Sequence, residues 1–420
     1  MHLAEEWEYP YLTLLSGSCF LLSYLKIDNR SLQMLALASG LIPFALDFPD
    51  LANHGNLMLM IGSGLLLLMF NGEKPTDELC AYYLRPVLPF IYAFAGFHKL
   101  NADFFKTEVS CANDFMLRFS AAENADLIRQ HWLAIVLPFA AAGWELSGLI
   151  LLHIRKAQIW FLSGSALLHG FLALHHFADF GSLMLALFYL WIPAGLTSSM
   201  TGRKTKPAFT ICFVIACFLP LDQLRFLSAD RTFFLVGIFM LAGFVIYYRS
   251  TIDFKNIDAL SSGAPIWNSP KQLLLPIILG AFSVSPYLGL RTSGNLTMFS
   301  NLKTEGPTSN HLLLTSNPFK IFALQEDLIK FVQIDPEHGT ERRVWLKDYA
   351  LPATELFKKA KLWREKKIKV PAVYWYNGEL LETSDLAKDE RWQQDPNLRF
   401  NAQWLDFRVV QPIGPNKCRW

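Results

Sequence analysis

Residues 93–105 read AFAGFHKLNADFF. An apolar run stops at a histidine and a lysine, and two phenylalanines follow a short polar step. An ammonium at that place depends on what surrounds the run, and the chain on either side answers for lipid. A helix that crosses the hydrocarbon core takes roughly 20 mostly apolar residues, fewer where flanking groups snorkel. Ten stretches qualify, near 9–26, 32–47, 55–70, 81–98, 131–153, 157–176, 179–197, 207–221, 232–248 and 271–289. Composition agrees: of 420 residues, 52% are hydrophobic, 14% aromatic and only 18% charged, which is a membrane composition and makes the bilayer the first expected partner.

Several classes fall away. The net charge of +2 gives no polyelectrolyte field, so no nucleic-acid partner is expected. The six cysteines form no CxxC pair, so they predict neither a zinc knuckle nor a thioredoxin motif, and no metal. The lead MHLAEEWEYPYL is acidic where a secretory signal is basic, and the first apolar segment is expected to be retained.

After Leu290 the apolar runs stop. VYWYNGELLE, residues 373–382, reads as a β-hairpin, because Asn377-Gly378 suits a two-residue turn with positive φ at both centres. LPATELFKKAKLWREKK, residues 351–367, reads as a helix opened by Pro352, with Leu356, Ala360 and Trp363 on one stripe. The expected architecture is an all-α polytopic membrane bundle of about ten transmembrane segments over 1–290, followed by an extramembrane α+β domain over 291–420.

Lysines and arginines orient the bundle. Lys26, Arg30, Lys74, Arg155, Lys156, Arg203, Lys204, Lys206, Arg249, Lys255 and Lys271 fall in the connections after alternate segments, and the opposite connections hold fewer. By the positive-inside rule the C-terminal domain is extracytoplasmic, in a multi-pass protein of the cell (inner) membrane. The same assignment puts Asn53, His54, His98 and Lys99 at the outer ends of their segments. Cys111 and Cys418 also fall on that oxidising side, either bridged or as two free thiols.

Ionisable groups at membrane depth are expensive and usually face a partner or a cavity, which singles out Lys99, Glu145 and His169. Each has a structural alternative: a snorkelling lysine, a carboxylate tied to a neighbouring helix, a core histidine with both nitrogens satisfied.

AGFHKLNADFF resembles the segment that carries the active-site lysine in vitamin K-dependent γ-glutamyl carboxylases, with Gly96, Lys99, Leu100, Ala102, Asp103 and Phe104 on matching positions. ANHGNLMLMIG is similar to that family's Asn-His stretch, which matches Asn53 and His54, and WELSGLILL places Glu145 where the family has an aspartate. His169 stands about where the family has an intramembrane histidine. The likeness covers most of residues 1–200, the core of the wider horizontally transferred transmembrane domain family, and residues 289–314 look like the C-terminal section of its bacterial members. The chain departs in Phe97-His98, where the carboxylase has a small residue and a second lysine, and it lacks that enzyme's longer C-terminal region.

The resemblance implies an integral membrane enzyme. Lys99 would be general base toward a reduced quinone, vitamin K-like or another quinol, whose oxidation by O2 drives proton abstraction from a peptide or small-molecule substrate on the outer face, with CO2 trapping the carbanion. To act so, the amine must be neutral, and a low dielectric penalises an ammonium. His54 would position the incoming carbonyl group, and His169, Glu145, Asn53 and His98 would bind the cofactor. The two rival classes are a transporter or channel lined by the same residues, and a non-catalytic membrane scaffold or immunity-type protein. Against the transporter stands the lack of an inverted repeat or paired broken helices.

Overall fold

The structure is a computed structural model, and it describes residues 18–19, 29–72, 77–118, 129–173, 178–191, 269–316, 319–334, 349–393 and 395–418. It is mostly helical with one small antiparallel sheet. Four helices, Asn53–Phe70, Leu79–Lys99, Trp132–Leu151 and Pro270–Leu288, are long and apolar enough to cross a membrane, which suggests a membrane protein. They match four of the ten expected segments. Helices also cover all of 32–47, most of 157–176 and eleven residues of 179–197, but these are shorter or less apolar. The segments expected at 207–221 and 232–248, and 9–26 except for residues 18–19, lie outside the described residues.

The chain divides into two compact units. The first comprises Met1–Leu46, Leu57–Ala93 and Leu146–Leu279. Its helices are α1 (Arg30–Asp47), most of α2 (Asn53–Phe70), α3 (Asp77–Leu84), the start of α4 (Val87–Lys99), the end of α6 (Trp132–Leu151), α7 (Arg155–Ala173), α8 (Ala178–Tyr189) and the start of α9 (Leu274–Leu288). Pro86, which has no N–H to give, stands at the step between α3 and α4. Gly148 lets helices approach closely, since a Cβ there would lie 2.7 Å from the Phe161 ring and 3.0 Å from Tyr92. Tyr92 meets Phe161 edge-on at 5.0 Å and stacks on Phe188 at 6.4 Å.

The second unit comprises Asp47–Asn56, Phe94–Glu145 and Gly280–Trp420. Besides helix ends and α5 (Cys111–Arg118) it holds β1 (Leu328–Ile334), β2 (Ala350–Pro352), α10 (Ala353–Glu365), β3 (Ala372–Tyr376), β4 (Glu379–Thr383) and α11 (Pro396–Trp404). The strands pair antiparallel in the order β2-β1-β3-β4. The expected hairpin is present, with φ +50° at Asn377 and +81° at Gly378. Pro352 caps α10, and that helix buries Leu356, Ala360 and Trp363 against Ile329, Phe331, Tyr374 and Trp392.

Residues 289–311 form an irregular segment that is largely buried although rich in polar side chains. Buried polar groups must find partners, and here asparagines supply them. Asn301 accepts from the Cys111 N–H at 2.8 Å and donates to the carbonyls of Val109 and Asn416. Glu305 accepts from the Arg408 Nε at 3.2 Å. Cys111 and Cys418 are joined by a disulfide.

A second charged knot ties this unit together. Lys358 Nζ lies 2.7 Å from Asp50, 3.1 Å from Glu355 and 3.3 Å from Asp406. One ammonium cannot neutralise three carboxylates, and Glu355 is the deepest: burial, then the nearby Asp406, pushes its carboxyl up to about 7, against Lys358, Lys359 and the Phe407 N–H. A folded-state value above the unfolded carboxylate range means that the folded state holds an extra proton between the two, so this stability is full below the unfolded value and lost as pH rises through about 7. Denaturant unfolding of the protein is expected to lose on the order of 2 kcal/mol between pH 5 and pH 8. Glu355→Gln, which keeps the acceptor for Phe407, should flatten that slope. A wild-type stability that is level or rising over this range would show that Lys358 keeps Glu355 ionised.

Candidate functional site

Lys99 is the last residue of α4, where a cation suits the carbonyl end of a helix. Its side chain is buried and turns back along the helix, with Nζ 3.4 Å from the Ala95 carbonyl. Glu145 of α6 meets it, Oε2 to Nζ at 2.7 Å. The structure thus brings together two of the sequence candidates, 46 positions apart, as an ion pair with side chains 7% and 16% exposed. The approach is close but off the hydrogen-bonding direction, and Glu145 Oε2 is left with no aligned donor. On another side the Phe104 ring stands 5.9 Å from Nζ. Lys99 is therefore not a lysine reaching for headgroups.

His98 points elsewhere. Its Nδ1 shares a 2.9 Å hydrogen bond with the Tyr287 hydroxyl and its ring stacks on that of Tyr287, and the backbone of Asn295 is a further hydrogen-bonding neighbour. Phe97 and His311 complete an aromatic cluster around Tyr287. His311 is fixed in one tautomer. Its Nε2 lies 3.0 Å from the Phe97 carbonyl, which can only accept, and its Nδ1 accepts from the Leu313 N–H at 3.2 Å. Burial also lowers its pKa, so it stays neutral.

The residues after Lys99 hold the helix end in place. Asn101 donates to the His98 and Ser300 carbonyls and accepts from the Phe104 N–H at 2.9 Å. Asp103 accepts from Asn310 at 2.8 Å, from the Asn416 N–H at 2.9 Å and from Lys106. Of the two, only Asp103 is a motif position in the sequence. Ser300, Asn310 and Asn416, among their partners, lie about 200 to 300 residues away, beyond any local pattern.

Asn53 and His54 open α2, His54 buried and Asn53 partly so. Nearby, Asn56 donates to the carbonyls of Leu51 and Gly294, and Gly294 has φ +76°, with no room for a Cβ against Asn56. His169 belongs to the first unit, where Nε2 bonds to the Tyr92 hydroxyl at 3.1 Å and the ring packs on Phe180 and Phe188. Its surroundings are those of an aromatic box around a buried imidazole. Tyr287, His311 and Asn310 were not anticipated, because nothing in the apolar periodicity marks the partner of a helix end.

No family model, curated protein or solved structure matches the chain.

Proposed function

We propose that this chain is a multi-pass enzyme of the cell membrane that uses Lys99 and Glu145 as a proton-accepting pair toward a lipid quinol. The observation that carries the reading is their 2.7 Å contact. A lysine and a carboxyl in contact can pass a proton between them, which is what a general base needs. The quinol, when bound, supplies the reducing electrons that O2 consumes. The residues' work is to accept its hydroxyl proton at Lys99 Nζ and to keep water out, with His98 and His54 as polar contacts for quinol and substrate. Proton abstraction from a peptide or small molecule, with capture of CO2, is the downstream step that the resemblance to the carboxylases implies. The protein reconstituted in lipid should take up O2 when reduced naphthoquinone or ubiquinol is added and should yield the quinone epoxide. Uptake no greater than that of protein-free vesicles with either quinol would end this reading.

In the same proposal the bundle has about ten crossings and an extracytoplasmic C-terminal domain. The Cys111–Cys418 bond supports that side, since structural disulfides persist in oxidising compartments. A C-terminal alkaline phosphatase fusion should be active and a fluorescent-protein fusion dark. The reverse pair would place the domain in the cytoplasm.

A further inference from the structure

Leu312, Leu313, Phe319, Ile321 and Phe322 are all exposed in the second unit, Leu313 to 69% and Ile321 to 73%. Five large apolar side chains within eleven residues make a patch that a water-facing surface rarely carries. The lone lysine among them does not break it: Lys320 turns inward, its Nζ 2.7 Å from the Gly306 carbonyl and 3.6 Å from Glu326, with a side chain only 7% exposed. With Lys320 turned in, Phe319 and Ile321 on either side of it are left facing out.

The segment is pinned where two membrane-length helices end. The Leu312 N–H donates to the Leu100 carbonyl at 2.9 Å, one residue past Leu79–Lys99, and the Ala102 N–H donates back to Asn310 at 2.9 Å. The N–H groups of Ile321 and Phe322 both donate to the Leu288 carbonyl, at 3.1 and 3.0 Å, on the last residue of Pro270–Leu288. Gly289 makes this possible, since at φ +80° a Cβ would fall on the Phe322 carbonyl oxygen. Lysine and arginine placement puts both helix ends on the outer side. Trp132, at the start of α6 in the same unit, is 61% exposed on that side too, as expected of a residue in an interfacial aromatic belt.

We propose that these five side chains seat in the outer interfacial layer of the bilayer, so that the segment is a lipid-surface anchor. It rests on the reading that the four long apolar helices cross a membrane. Its partner is the acyl-headgroup boundary of phospholipid, and it ties the backbone that hydrogen-bonds to Leu100, next to Lys99, to the membrane surface.

The test places p-benzoylphenylalanine at Phe319, at Phe322 and, as a comparison, at the exposed Phe139 of α6, each in the full chain in phosphatidylethanolamine–phosphatidylglycerol vesicles. After irradiation, mass spectrometry identifies the adduct. Phospholipid adducts at 319 and 322, within about threefold of the yield at 139, are expected if all three touch lipid. An adduct to a second copy of the chain, or none, at 319 and 322 while 139 captures lipid would overturn the anchor and leave the membrane reading intact. Failure of 139 to capture lipid would overturn both.

Discussion

Lys99→Arg is expected to abolish quinol-dependent O2 uptake, a loss of at least about 100-fold, because a guanidinium stays protonated and cannot accept a proton. Folding should survive, since arginine keeps a cation opposite Glu145 and the 2.7 Å pair has a charged successor. A snorkelling lysine predicts full tolerance of arginine, and a transport or scaffold role predicts no quinol chemistry to lose. Lys99→Ala is the poorer test. The sequence alone presents that change as removal of an ammonium at a helix end, harmless to the fold. The structure corrects this: the variant strands Glu145 as a buried, unpaired carboxylate, at a cost of about 3–5 kcal/mol unless it takes up a proton. The double variant Lys99→Met, Glu145→Gln removes both charges and should be more stable than Lys99→Ala while remaining inactive. Glu145→Gln alone should lower turnover by about 10-fold or more if the carboxyl holds the exchanged proton. Wild-type turnover in Lys99→Arg would sink the assignment of the base.

What could be read in advance follows the range of the interactions. The hairpin at Asn377-Gly378 and the apolar stripe of α10 are local codes, a turn that needs positive φ and a period of 3.6, and both are found as expected. The helices that meet the length and apolarity of a crossing were legible for the same reason. Lys99 and Glu145 each stood out as a charge in an apolar run, but nothing in the runs says that one faces the other. Tyr287 looked like a residue of an apolar segment, and its bond to His98 spans 189 positions. Residues 289–311 carried no local code to read, because a buried irregular segment has no period. Its order comes from asparagine side chains meeting backbone groups, such as Asn301 with Asn416.

Removing the Cys111–Cys418 bond should be the largest single loss of stability outside the ion pair. The bridge closes a separation of 307 residues, and constraining so long a loop in the unfolded chain stabilises the fold by about 3–5 kcal/mol. Replacing both cysteines by serine should lower the unfolding midpoint by on the order of 10 °C, more than reductant applied to the folded protein, because Cys111 is fully buried. The effect should reach the site in a graded way. Beside the bridge, Asn416 donates to Asp103 and to Asn301, so the C-terminal residues pack on the loop that follows Lys99. Freed at Cys418, they should fray and loosen Asp103, and turnover should fall several-fold rather than vanish, since Nζ and its carboxylate are held by α4 and α6. Non-reducing peptide mapping gives the direct check: full labelling of both thiols without reductant would show that no bridge forms. A double serine variant with an unchanged midpoint would show that the asparagine network holds the terminus without it.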